Sequence, residues 1–146
     1  MHISEILNRQ KISFSFEFFP PRDAGGAERL FATIADLTSL KPSYISVTYG
    51  AGGSTRTLTH ELVRRIRKET SLTVVSHLTC VGSTREEIAR ILDAYAADGI
   101  ENVMALRGDP PAGQRDYAGE AGGFAHADEL VTFIRKRFPA FGIGVA

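Results

Sequence analysis

Apolar residues along this chain follow two periods that take turns. In Phe14-Ser15-Phe16-Glu17-Phe18-Phe19 the side chains of an extended backbone alternate, so Phe14, Phe16 and Phe18 share one face while Ser15, Glu17 and Phe19 share the other. The aromatic content predicts a β-strand, and Pro20-Pro21 stops it. The period then lengthens. Leu30, Ile34 and Leu37 form one stripe, which predicts a helix from about Ala27 to Leu40. The same exchange repeats three times. A strand over Tyr44–Tyr49 leads to a helix from about Thr57 to Glu69, and one over Leu72–Cys80 to a helix from about Thr84 to Asp98. A strand over Asn102–Leu106 leads to a helix from about Ala127 to Phe138, and a fifth strand starts near Gly142. Ser83-Thr84-Arg85-Glu86 has the spacing of a capping box for the third of these helices.

Strand starts recur at roughly 30 residues, the size of one βα unit. Such alternation implies a parallel sheet with right-handed crossovers. Two architectures fit: an open, doubly wound sheet of five strands, or the first half of a (β/α)8 barrel, whose full length is about 250 residues. Gly144-Val145-Ala146 ends inside an apolar run, which favours the second, a TIM-barrel type α/β fold with four βα units and the start of a fifth strand in one partial domain over residues 1–146.

Composition narrows the partners. Lys+Arg and Asp+Glu both total 17, so no basic excess points to nucleic acid. There is no apolar run of membrane-spanning length, about 18 residues. The amino terminus, Met1-His2-Ile3-Ser4-Glu5-Ile6-Leu7, lacks the long apolar core of a signal peptide. Cys80 is the only cysteine, so no internal disulfide forms and a reducing, cytoplasmic setting is expected.

The loops that follow strands are long and rich in Gly and Pro, whereas the returns from helix to strand are terse. Binding chemistry in parallel α/β folds gathers at the carboxyl ends of strands. Glu17, Thr48, His77, Thr79, Arg107 and Asp109 lie near those ends. Each has a plain alternative. Glu17 could sit at a solvated edge or pair with an Arg such as Arg22, and His77 could be a core histidine. Thr48 could be an ordinary strand former, and Arg107 and Asp109 could pair with each other. An ionised Glu on a buried face would need a partner or a raised pKa, the condition a general acid uses. Gly50-Ala51-Gly52-Gly53-Ser54-Thr55 invites a phosphate-cradle reading but lacks the lysine of a P-loop and a clean dinucleotide fingerprint.

Four motifs occur in order: Phe16-Glu17-Phe18-Phe19-Pro20-Pro21-Arg22, Ser46-Val47-Thr48-Tyr49-Gly50-Ala51, His77-Leu78-Thr79-Cys80 and Ala105-Leu106-Arg107-Gly108-Asp109-Pro110-Pro111. In these the chain resembles the methylenetetrahydrofolate reductase family, specifically its flavin-binding barrel, from about Ile12 to the last residue. The resemblance implies reduction of 5,10-methylenetetrahydrofolate to 5-methyltetrahydrofolate in one-carbon metabolism, with FAD as cofactor and NADH or NADPH as co-substrate. It implies that Glu17 matches the family's general acid and Asp109 the carboxylate near flavin and pterin. Thr48, Tyr49, His77, Leu106, Arg107 and Gly108 match positions along FAD. His126-Ala127 matches a place where many members have Tyr-Ala. The family's next motif would begin beyond Ala146, and later strands supply further contacts. A half-barrel exposes two strand edges, so the expected partners are the folate substrate and further copies of the same chain, and the isolated half is expected to hold FAD weakly. Two other readings stay open: a non-catalytic, self-associating remnant, and a doubly wound binding or signalling domain.

Overall fold

The computed structural model describes residues 1–49, 56–110, 113 and 120–146. Its elements are α1 (Ile3–Arg9), β1 (Ser15–Phe18), α2 (Ala24–Thr38), β2 (Tyr44–Val47), α3 (Arg56–Glu69), β3 (Val74–Thr79), α4 (Arg85–Ala97), β4 (Asn102–Leu106), α5 (Ala127–Arg137) and β5 (Gly142–Val145). The five strands form one parallel sheet in the order β1-β2-β3-β4-β5. Chain order equals spatial order, as in the wall of a partial barrel. A doubly wound sheet would instead have placed β1 in the interior of the order.

Helix starts explain where the boundaries moved. α2 begins at Ala24, three residues earlier than its apolar stripe predicts, because Asp23 caps it: the Asp23 carboxylate accepts the Gly26 N–H at 2.6 Å. That cap accommodates two glycines in the first turn. The capping box of α4 lies one residue later than expected. Thr84 Oγ1 accepts the Glu87 N–H at 3.2 Å, and Glu87 Oε2 accepts the Thr84 N–H at 2.8 Å. Ser83 cannot serve, because it is fully buried and its hydroxyl accepts from Arg56 at 2.7 Å. The Thr84 N–H that Glu87 accepts is the main cause holding the Glu87 carboxyl below its ordinary pKa.

Partner residues across a parallel ladder share a face. Phe16, Ile45 and Val74 are in register, as are Phe18, Val47, Ser76 and Val103, and these residues pack beneath the helices. Ile34, Leu62, Val63, Ile66, Ile88, Leu92, Tyr95, Leu130 and Ile134 come down on them from α2 to α5. Burying each such side chain stabilises the fold by about 1.5–3 kcal/mol. The polar atom in this layer is satisfied: Ser76 Oγ donates to the Tyr95 hydroxyl at 2.9 Å.

The other face carries Glu17, Ser46 and Val75 in one row and His77 with Met104 in the next. Its amino-terminal end is closed by α1, a helix that the sequence pattern does not predict. Asn102, the first residue of β4 and buried, accepts the Ile3 N–H at 2.8 Å and donates to the Met1 carbonyl at 3.0 Å. Ile3 and Ile6 are buried beneath it. Gly142 and Gly144 leave the room this needs. A Cβ on Gly142 would strike Asn102 Oδ1, and one on Gly144 would come within 3.0 Å of the Met104 sulfur.

Candidate functional site

Glu17 is the third residue of β1, and its side chain is half exposed, at 52%. A buried carboxyl is one of the two expectations drawn from the sequence, and the open face of the sheet leaves it wetter than that. Its partner is not Arg22. Glu17 Oε2 lies 3.2 Å from His77 Nε2, across the intervening strand β2. From β2, Ser46 Oγ donates to the same Oε2 at 3.4 Å.

His77 is the fourth residue of β3, with a side chain only 12% exposed. Burial pushes its pKa below the ordinary histidine value, and the negative charge of Glu17 works against that shift. Its Nε2 is buried, close to the carboxylate yet out of line for a hydrogen bond. Two residues on, Thr79 Oγ1 is also buried with no partner among the described residues. Buried polar atoms are nearly always bonded, so two orphans on neighbouring positions of one face are atoms that a ligand would satisfy.

The chain around them is tightly held. At the end of β2, the Thr48 N–H donates to the Phe18 carbonyl at 2.9 Å, and the Thr48 carbonyl accepts from Thr59 Oγ1 at 3.0 Å. Leu106 ends β4 in register with Thr79. The N–H groups of Cys80 and Val81 both reach the Arg107 carbonyl at 3.1 Å. Gly108 then has φ +82°, and a Cβ there would meet the Thr79 side chain at 2.9 Å, so only glycine fits. Arg107 and Asp109 follow β4 and are exposed at the same carboxyl end of the sheet.

Tyr49 is turned the other way. It is buried, and its hydroxyl accepts from Arg56 Nε at 2.9 Å. The same guanidinium donates to the Gly82 carbonyl at 3.0 Å and to Ser83. Burial raises the tyrosine pKa, and Arg56 partly offsets it. Tyr49 thus ties β2 to the start of α4 and is not brought to the Glu17–His77 pair.

His126 is exposed and caps α5, with Ala127 as the first helical residue. Glu129 reaches back to accept the Ala125 N–H at 2.7 Å, and the His126 carbonyl accepts from the Cys80 thiol at 3.4 Å. The structure therefore joins Glu17, Ser46 and His77 directly and sets Thr79, Leu106 and Gly108 beside them. Ser46 is the residue that sequence reasoning left without a role, although alternation already put it on this face.

The glycine loop over residues 50–55, weighed above as a phosphate cradle, lies outside the described residues. A depression of about 380 Å³ between α2 and α3, floored by Phe31 and Leu62, is away from the pair. Among the described residues no cluster of His, Cys, Asp and Glu could hold a metal ion, and no helix is long and apolar enough to cross a membrane.

Parallel strands in chain order, with an acid–imidazole pair and buried polar atoms lacking hydrogen bonds among the described residues at their carboxyl ends, make an α/β sheet consistent with part of a (β/α) barrel. The family model for methylenetetrahydrofolate reductase matches residues 2–146, and the chain belongs to that family. It is 42% identical to "Methylenetetrahydrofolate reductase (NADH) 1" of Arabidopsis thaliana over 99% of this chain and 24% of that protein. It is 45% identical to the 5,10-methylenetetrahydrofolate reductase of Pectobacterium carotovorum subsp. carotovorum over 93% of this chain and 43% of the relative. The corresponding Escherichia coli (strain K12) enzyme is 40% identical over 93% of this chain and 44% of its own length. The chain thus spans less than half the length of these relatives.

Proposed function

We propose that this chain forms the first four βα units and fifth strand of a (β/α)8 barrel that reduces 5,10-methylenetetrahydrofolate to 5-methyltetrahydrofolate with FAD and NADH or NADPH. The single observation that carries the reading is the Glu17 carboxyl at the carboxyl end of β1, 3.2 Å from the buried His77 imidazole. Family membership supplies the substrate class, and the plant relative's name specifies NADH.

Bound FAD supplies hydride transfer between the nicotinamide and the folate. The orphaned His77 Nε2 and Thr79 Oγ1 and the bare Gly108 backbone are a fit for a polar, flat heterocycle brought close to the sheet. Thr48, His77, Leu106, Arg107, Gly108 and Ala127 are assigned to holding the cofactor, with His126 at the rim. Tyr49 serves by fixing the strand end behind them. Asp109 orients the pterin. Glu17, once protonated, gives its proton to the ring nitrogen whose bond to the bridging carbon breaks as the five-membered folate ring opens, and is left as the carboxylate. A half-exposed carboxyl suits this, because the donor must reach a substrate that arrives from solvent.

Absorbance of the purified protein gives the first test, since flavin bands near roughly 370 and 450 nm report the cofactor. Stopped-flow measurement of Glu17→Gln in a full-length version of the enzyme gives the second. Reduction of flavin by the nicotinamide needs no proton from Glu17 and stays within a small factor of wild type. Folate reduction falls by about 10²–10⁴-fold, the usual loss for a positioned acid. Equal loss in both halves would reassign Glu17 to a structural or cofactor-positioning role.

A further inference from the structure

We propose that Ser46 is a positioning residue for Glu17: acting with His77, its hydroxyl holds one carboxyl oxygen so that the other is the one presented to substrate. The inference rests on the acid role given to Glu17 above.

Register sets Ser46 directly beside Glu17 on the sheet face. Ser46 is 5% exposed, so its hydroxyl has little water to bond instead. It donates to Glu17 Oε2 at 3.4 Å, and His77 Nε2 lies 3.2 Å from that same oxygen. Both contacts fall on Oε2, and Oε1 has no hydrogen-bond partner among the described residues. A glutamate side chain free in solvent samples many rotamers, and restraining it costs entropy that two contacts offset. The serine bond is long, as such bonds often are before substrate binds and draws the site together. The ionisable groups facing this spot are Glu17 on β1 and His77 on β3. Between them β2 offers Ser46, and on the far side of β3 the neighbour of His77 is Met104 of β4, both uncharged, and Arg107 and Asp109 follow beyond the end of β4.

A tether makes a specific demand on His77. The carboxylate charge is what holds the imidazole pKa up against burial. If Ser46 keeps Oε2 beside the ring, removing the hydroxyl lets the carboxylate drift, and the ring loses part of that support. A serine that only fills space has no such effect.

The test is ¹⁵N NMR titration of the His77 ring in the purified protein, compared across Glu17→Gln, Ser46→Ala and Ser46→Thr. Glu17→Gln lowers the His77 midpoint. Ser46→Ala lowers it in the same direction by a smaller amount, and Ser46→Thr, which keeps a hydroxyl, restores the wild-type value. In the flavin-loaded enzyme Ser46→Ala slows folate reduction by about tenfold in kcat, as expected for a misplaced donor, with flavin reduction unchanged. A His77 midpoint unmoved by Ser46→Ala, or a Ser46→Thr variant that behaves like Ser46→Ala, overturns the proposal. So does a midpoint insensitive to Glu17→Gln. A Glu17→Gln enzyme that loses both half-reactions equally while Ser46→Ala still moves His77 would remove the acid role and leave the tether supported.

Discussion

The two ends of the inner sheet face are built to opposite rules. At the amino end every buried polar group that α1 brings is answered: Asn102 takes the Ile3 N–H and gives a bond to the Met1 carbonyl, and the two glycines of β5 make room for it. At the carboxyl end Thr79 Oγ1 is buried with no partner among the described residues, His77 Nε2 is buried with only the charge contact to Glu17 and no hydrogen bond among them, and Glu17 stands half in water. Satisfied polar groups stabilise a fold, and unsatisfied ones cost it free energy that a ligand can return. The amino end is thus built for stability, and under the proposed function the carboxyl end is the one kept for binding, the division expected of a barrel whose reactive loops all follow the strands.

The contrast is broken most forcefully by Glu17→Gln. A loss of about 10²–10⁴-fold in folate reduction with little change in thermal stability is the expected pattern for the carboxyl end. Asn102→Ala should do the reverse. It strands the buried Ile3 N–H and the Met1 carbonyl and leaves a cavity, at a cost of about 2–4 kcal/mol, which denaturant unfolding would read, while bound flavin keeps its spectrum. A variant that lost flavin as readily as stability would erase the division between the ends.

Gly108→Ala probes the border. It forces an L side chain into φ +82° against Thr79, and costs about 1–2 kcal/mol from the left-handed backbone alone. Under the proposed function cofactor affinity should fall together with stability, because the same backbone is assigned to both. The smallest expected effect is a pH dependence. His77 has a folded pKa below the ordinary 6.5, so the unfolded chain binds the proton more readily. Its contribution to stability is fully present above that value and is lost as pH falls from there toward the lowered folded pKa. His77→Gln should flatten this part of the unfolding profile, and a slope unchanged by the substitution would mean the ring is not buried as described.

Much of this arrangement is legible in the chain because its periods are long enough to read. β4 falls on Asn102–Leu106 as the pattern predicts, and α3 differs from its predicted span by one residue at its start. α1 is not legible, because seven residues give too short a window, and the bond that anchors it comes from Asn102, 99 positions away. The site divides the same way. Alternation alone puts Glu17, Ser46 and His77 on inner positions of their strands. That Glu17 meets His77 rather than Arg22 depends on the stagger of three strands, which no local pattern encodes. Tyr49 shows the converse. It follows Thr48 directly, yet its orientation is decided by Arg56, seven residues on, and by the buried space beneath α4.

Cys80 adds a built-in clock to this molecule. Its sulfur is fully buried where β3 meets the cap of α5, and burial first, with Glu129 adding to it, pushes the thiol up to about 11. At neutral pH it is therefore both shielded and protonated, and thiolate is the reactive form. An alkylating reagent can mark the chain only when this junction opens. The labelling rate at a single atom then counts how often the strand ends behind the site come apart, with no residue replaced and no residue of the inner face disturbed. Native protein should label far more slowly than a free thiol, and denaturant should quicken the reaction in step with unfolding. Labelling at the speed of a free thiol would mean that the cysteine is open to solvent.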